Sequence, residues 1–265
     1  VHHQSQHTGT NIYIYTNLGE NLLSAKRKAN GHRRGHQASN IIEFNEYVPN
    51  QAKRVILLPK TLKQEEYVDS LLDNEKIIVF ATGPAGTGKT MLAVMAGIHA
   101  LRTRQVARMV ITRPAVGVDD EQHGFLPGDL NSKMAPWTRP IMDVIQEFYT
   151  TKEIAHMLEE KTLEIAPLAY MRGRNFKNSW IIFDEAQNAT MNQMKMVLTR
   201  VSHGSRMIVT GDLNQVDRKF SNDNGLKDFL ARLQSSDTIV SVDFGRRDVQ
   251  RHPVVAEVLK LYGEY

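Results

Sequence analysis

Residues 83–92 read GPAGTGKTML and follow directly on KIIVFAT, residues 76–82. Gly83, Pro84, Ala85, Gly86, Thr87, Gly88, Lys89 and Thr90 fit the pattern G-x-x-x-x-G-K-[ST] at every fixed position. The glycines let the backbone curl so that successive N–H groups point at phosphate oxygens. The helix expected to open at Lys89 adds its positive N-terminal end. Lys89 would reach the β- and γ-phosphates, the Thr90 hydroxyl would hold Mg²⁺, and Met91 completes the stretch expected around the nucleotide. The loop lies between an apolar strand-like run and a helical pattern, which is the context this chemistry requires.

A phosphate loop needs a second element to hold the metal. WIIFDEAQNAT, residues 180–190, ends an apolar run with Asp184 and Glu185. A carboxylate at the C-terminal edge of a parallel strand points into the ligand crevice. Asp184 is therefore the expected Mg²⁺ residue and Glu185 the group that orients or deprotonates a water. The third element is RMIVTGDLNQVD, residues 206–217, where a strand ends in Thr210, Gly211 and Asp212 with Gln215 just beyond. Gln215 is placed to contact a γ-phosphate; a plain turn is the alternative reading. NQVD lacks the lysine of a guanine-reading N-K-x-D, and DEAQ stands where GTPases carry D-x-x-G, so ATP is the expected nucleotide.

From Lys76 onward short apolar runs alternate with amphipathic ones. Strands are expected at 77–82, 108–112, 163–166, 180–184, 206–210 and 239–243. Helices are expected near 89–103, 138–149, 151–160, 190–202, 223–234 and 248–262, with one more from Thr61. Thr190 with Gln193 three residues on forms a capping box. The alternation predicts an α/β fold with a mostly parallel sheet and helices on both faces. The chain holds no cysteine, which excludes disulfides and thiolate metal sites. Its formal charge of +4 lies in residues 1–40, which carry five Lys and Arg against Glu20 alone, so basicity says little about the body. Residues 1–50 are expected to be a poorly ordered basic, histidine-containing leader and 51–265 a single ATPase domain. No membrane association and a cytoplasmic location are expected, since the apolar runs are far shorter than a span.

With these elements placed, the sequence resembles the PhoH family of ATPases. The likeness is carried by ATGPAGTGKT, TRPAVGV, GFLPGDLNSKMAPW, APLAYMRGRNF, IIFDEAQNAT, VTGDLNQVD and DVQRHPVV, in an order that covers about residues 55–265. The resemblance implies a RecA-like P-loop NTPase similar to the first motor domain of superfamily 1 helicases. It also implies ATP hydrolysis linked to RNA metabolism and assembly as a ring, often a hexamer in the family. By the same resemblance Gln64, in LPKTLKQEEYV, would read the adenine edge, with a helix-surface glutamine as the alternative. Arg113, in TRPAV, would meet a nucleic-acid backbone. Arg251, in DVQRHPVV, would be offered to a neighbouring subunit's ATP, with Arg246 or Arg247 able to take that role.

Two stretches are candidate working surfaces. Residues 117–137, GVDDEQHGFLPGDLNSKMAPW, are too long and too rich in Gly and Pro for a plain connection. PLAYMRGRNFKNS, residues 167–179, interleaves Tyr170 and Phe176 with Arg172, Arg174 and Lys177, a combination suited to single-stranded RNA. The competing reading puts both aromatics in the core and the arginines in solvent. One motor domain is expected in this chain, so the arginine that neutralises transition-state charge is expected from another copy in a homo-oligomer. Three functions follow: an RNA-directed ATPase or helicase, an ATP-dependent switch acting on a protein partner such as an endoribonuclease, and a small-molecule kinase. DEAQ suits a water-activating carboxylate and no acceptor lid is evident, which disfavours the kinase.

Overall fold

The computed structural model describes residues 53–114, 130–216 and 223–262, together with the backbone of Tyr13–Ile14. The leader assigned to residues 1–50 otherwise lies outside the described residues; Tyr13–Ile14 pairs antiparallel with Ile56–Leu57.

All six expected strands form. They are β1 (Ile78–Thr82), β2 (Arg108–Arg113), β3 (Leu163–Pro167), β4 (Ser179–Phe183), β5 (Arg206–Gly211) and β6 (Ile239–Asp243). They make one sheet in the order β3-β2-β4-β5-β1-β6 with every pairing parallel. The helices are α1 (Leu62–Leu72), α2 (Lys89–Arg102), α3 (Leu130–Gln146), α4 (Thr151–Glu159), α5 (Met191–Leu198), α6 (Gly225–Arg232) and α7 (Pro253–Leu261).

Successive side chains of a strand face opposite sides of the sheet, and the two cores follow that alternation. Val79, Ala81, Met109, Ile111, Ile182 and Ile208 pack with α1, α2, α3 and α4 on one face. Phe80, Val110, Ile181, Phe183, Met207 and Val209 pack with α5 and α6 on the other. This is the expected arrangement of helices on both faces. Both sides of each central strand are buried, so these strands read as unbroken apolar runs.

α2 approaches the sheet closely because Gly97 has no side chain: a Cβ there would lie 2.6 Å from Trp180. The Trp180 indole N–H donates to Ala93 O at 3.1 Å. α1 is anchored through its C-terminal carbonyls. The buried Arg206 donates to Leu71 O at 2.6 Å, Ser70 O at 2.9 Å and Lys76 O at 2.8 Å, and lies over the Trp180 ring.

Two helix starts differ most from the sequence expectation. α3 starts at Leu130, not near 138, so the last eight residues of the stretch read as a long loop are helical; residues 117–129 lie outside the described residues. Pro136 and Pro140 argue locally against a helix, but Ile141 and Ile145 are buried against the core and hold it. α7 begins at Pro253, not 248. Proline suits the first helical position, where its missing N–H has no partner in the helix to lose.

Candidate functional site

The strand order places the site. β1, β4 and β5 end side by side, with β5 between the other two. The parity that puts Ile182 and Ile208 on the α2 face continues to Asp184 and Thr210, and that of Ile111 continues to Arg113. All three therefore arrive on the side where the 83–90 loop opens into α2. A cleft of about 260 Å³ lies there, lined by Ala85, Gly86, Gly88, Lys89, Thr90, Met91, Asp184, Glu185, Thr210, Gly211, Asp212 and Gln215.

The loop takes left-handed backbone at Gly86 (φ 84°) and Gly88 (φ 83°), a region costly for residues with a Cβ. Its start is joined to β5 by Gly83 N–H donating to Gly211 O at 3.1 Å. The Lys89 ammonium is curled into the loop, donating to Gly83 O and Pro84 O at 2.7 Å each and to Thr87 Oγ1 at 3.3 Å. Only 8% of Lys89 is exposed. Burial pushes its pKa down, opposed by the carboxylates of Asp212, Glu185 and Asp184, while the Arg251 charge adds to the lowering. A cation withdrawn from water in this way has much to gain from an anionic ligand.

Thr90 Oγ1 donates to Asp184 Oδ1 at 2.9 Å, and Thr210 Oγ1 donates to the same oxygen at 2.5 Å. Two hydroxyls from different elements thus fix one carboxylate oxygen beside the loop. Among the described residues there is no group of three or more His, Asp or Glu able to cage a metal. A hydroxyl and a carboxylate are hard oxygen donors, a set that suits a Mg²⁺ completing its shell with water and phosphate oxygens. The residues present fit that ion, and Thr90 and Asp184 are the side chains that would hold it.

Glu185 turns the chain sharply. Its backbone is left-handed (φ 54°, ψ 38°), which costs a non-glycine residue roughly 1–2 kcal/mol. The turn aims its carboxylate away from β4 and into the cleft. Gln187 holds it there, donating from Nε2 to Glu185 Oε2 at 2.6 Å while its Oε1 accepts from Asp212 N–H at 3.1 Å. Arg113 lies 3.6 Å from the other Glu185 oxygen. Gln215 lies in the cleft and donates to Asp212 Oδ2 at 2.8 Å.

Gln64 is buried against the loop. Its Nε2 donates to Thr87 O at 3.0 Å and its Oε1 accepts from Lys60 N–H at 2.7 Å. The helix-surface alternative is therefore excluded: Gln64 is a strut between α1 and the phosphate loop. Tyr67, one turn on, donates to Lys89 O at 3.2 Å and meets Phe244 edge to face.

The expected single-strand surface is only partly assembled. Tyr170 is exposed (58%), and so is Arg172. Phe176, read as a stacking platform, is fully buried, and this corrects the expectation. Its backbone bridges to Val201, and its ring lies under the Arg174 and Arg108 guanidinium groups. Arg174 is turned inward, donating to both Glu164 oxygens at 2.5 and 2.9 Å. Arg251 is exposed beside its own chain's Gly86, and Arg246 and Arg247 are exposed on the preceding turn. Sequence reasoning missed Gln187 and the link from Thr210 to Asp184. Strand parity from Ile208 was the available signal for Thr210; nothing local singled out Gln187.

The family model described as PhoH-like protein matches residues 56–263. A PhoH-like protein of Bacillus subtilis (strain 168) is 42% identical over 219 residues, covering 83% of this chain and 68% of its own length. A PhoH-like protein of Mycobacterium tuberculosis (strain H37Rv) is 44% identical over 207 residues, covering 78% of this chain and 58% of its own length. Among solved structures, the Pif1 helicase from Candida albicans aligns with a TM-score of 0.36 at 16% identity, covering 76% of this chain and 43% of that one.

Proposed function

The chain belongs to the PhoH-like protein family, and from that premise we propose that it is an ATPase acting in RNA metabolism, converting ATP and water to ADP and phosphate. The observation that carries this reading is the Asp184 carboxylate fixed by Thr90 and Thr210 directly beside the Lys89 loop. The loop amides and Lys89 bind the β- and γ-phosphates, and Thr90 and Asp184 hold Mg²⁺. When bound, that ion offsets phosphate charge. Glu185, aimed by Gln187, orients the attacking water and takes its proton, and Gln215 contacts the γ-phosphate. Lys89→Ala should abolish nucleotide retention and turnover; retained turnover would sink the proposal.

Single-stranded RNA is the proposed substrate surface partner, through the exposed Tyr170 and Arg172 and through Arg113. The protein works as a homo-oligomer, a hexameric ring being the favoured form, with nucleotide at head-to-tail junctions. Arg246 or Arg247, exposed on the turn after β6, supplies the charge that crosses to a neighbouring copy. Turnover per subunit should therefore fall on dilution to verified monomer, and constant turnover would remove the ring from the reading.

The burial of Phe176 and the pairing of Arg174 favour a second reading, an ATP-dependent switch for a protein partner such as an endoribonuclease. Titration of single-stranded RNA into the ATPase assay separates the two. Several-fold stimulation supports the RNA-directed enzyme; an unmoved rate supports the switch.

A further inference from the structure

The chain beyond β6 folds back over the phosphate loop of the same molecule. Phe244 N–H donates to Thr82 O at 2.7 Å, continuing the β6–β1 pairing past the sheet. A Cβ at Gly83 would sit 2.2 Å from Phe244 O. The turn at Arg246–Asp248 is closed by Gly245 N–H donating to Asp248 Oδ2 at 2.9 Å and by Asp248 N–H donating to Gly245 O at 3.1 Å. Gln250 N–H then donates to Gly86 O at 2.8 Å, which ties this segment to the middle of the loop.

Arg251 follows. Its side chain runs across Gly86, where an added Cβ would lie 2.5 Å from Arg251 Nε and 2.8 Å from its Cγ. The space that a side chain at position 86 would fill is taken by the arginine. No carboxylate forms an ion pair with Arg251 among the described residues. The Lys89 ammonium is curled into the same loop, so two cations converge on one short stretch. Like charges brought this close are compensated by a polyanion lying between or beside them.

We infer that Arg251 binds the phosphates of the nucleotide held by its own chain, not those of a neighbouring copy. This rests on the nucleotide site proposed above and departs from the family resemblance, which offered this arginine to the next subunit. The physical reason is connectivity. Arg251 lies eight residues beyond the end of a strand paired with β1, and backbone hydrogen bonds fix that short segment to the loop of the same chain. The intervening turn leaves Arg246 and Arg247 facing outward for any contact between copies.

Titration of a fluorescent methylanthraniloyl-ATP with Mg²⁺ into wild type, R251A, R251K and K89A tests it. R251A should weaken triphosphate binding roughly tenfold or more, the scale of one charge-assisted hydrogen bond. The loss should be smaller for the diphosphate, and R251K should recover part of it. A merely structural arginine would weaken both nucleotides equally, and that result overturns the inference. So does wild-type affinity in R251A. Mixing R251A with K89A chains then separates the two geometries. Action within one chain predicts no more ATPase than the two variants show apart. Recovery toward roughly a quarter of wild type, the share of random head-to-tail junctions pairing an intact loop with an intact donor, overturns it. A wild type that binds no nucleotide removes the site itself and this inference with it; loss in K89A with none in R251A removes this inference alone.

Discussion

Asp184 and Glu185 are neighbours in sequence but are held by different means, and this separates their roles. Asp184 continues the parity of β4 and is gripped by two hydroxyls, Thr90 from α2 and Thr210 from β5. Glu185 sits in left-handed backbone and depends on Gln187 to hold its carboxylate toward the cleft. Removing a Thr210 hydroxyl leaves the Asp184 oxygen with one partner and freer to rotate. Thr210→Val should therefore weaken Mg²⁺-dependent nucleotide binding about tenfold, the value of roughly one hydrogen bond to a charged group. Titration with and without Mg²⁺ checks this, since metal-free binding should move little. Gln187→Ala should act differently, lowering turnover tenfold or more with nucleotide affinity preserved, because it frees Glu185, the proposed water-orienting group, and the Asp212 N–H while leaving the phosphate loop's own bonds in place. A matched fall in affinity would show that Gln187 serves the loop instead.

At the scale of elements, helix ends and turns decide whether the site is held in place. α1 carries Gln64 and Tyr67 against the phosphate loop, and its own C-terminal carbonyls are satisfied by Arg206. Burial draws the Arg206 pKa down to about 10, so it remains a cation at neutral pH. Arg206→Met keeps the stem but leaves three carbonyls without their donor. A loss of about 3 kcal/mol is expected, read from urea unfolding. The turn before β4 is pinned to β3 by Arg174 on Glu164. The Arg174 hydrogen bonds hold the Glu164 carboxyl below its ordinary value of 4.5, against the opposing effect of burial. A depressed carboxylate pKa contributes stability above the unfolded value and loses it as pH falls through the folded one. Wild type should therefore exceed Glu164→Gln by about 1 kcal/mol at neutral pH, a figure reduced for partial exposure of the pair. The difference should shrink as pH falls below the ordinary value of 4.5 and vanish once pH has passed the lower folded-state value, where Glu164 is protonated in both states. A difference that persists in acid would mean that shape, not charge, stabilises this turn.

For the molecule as a whole, a six-stranded parallel sheet with two unequal helical layers brings three strand ends to one edge. The four inner strands were legible because each is buried on both faces and must be apolar through its middle, and the edge strands β3 and β6 because their apolar runs are interrupted only by Glu164 and Ser241. The phosphate loop was legible because its glycines and lysine meet local steric and charge requirements that few other residues satisfy. The start of α3 was not, since two prolines argue against it and only packing on a distant core overrides them. Phe176 was misread for a related reason: an aromatic among arginines looks like a stacking surface until a neighbouring segment covers it. By itself, then, the sequence determined the elements, the loop and the two carboxylates, because these follow from period, turn chemistry and residue type within a few positions. Only the tertiary structure decided that β5 lies between β1 and β4, which brings Thr210 to Asp184, and that Arg251 lies on its own chain's loop. The order of parallel strands is set by crossovers and core packing over a hundred residues, and no local pattern carries that information.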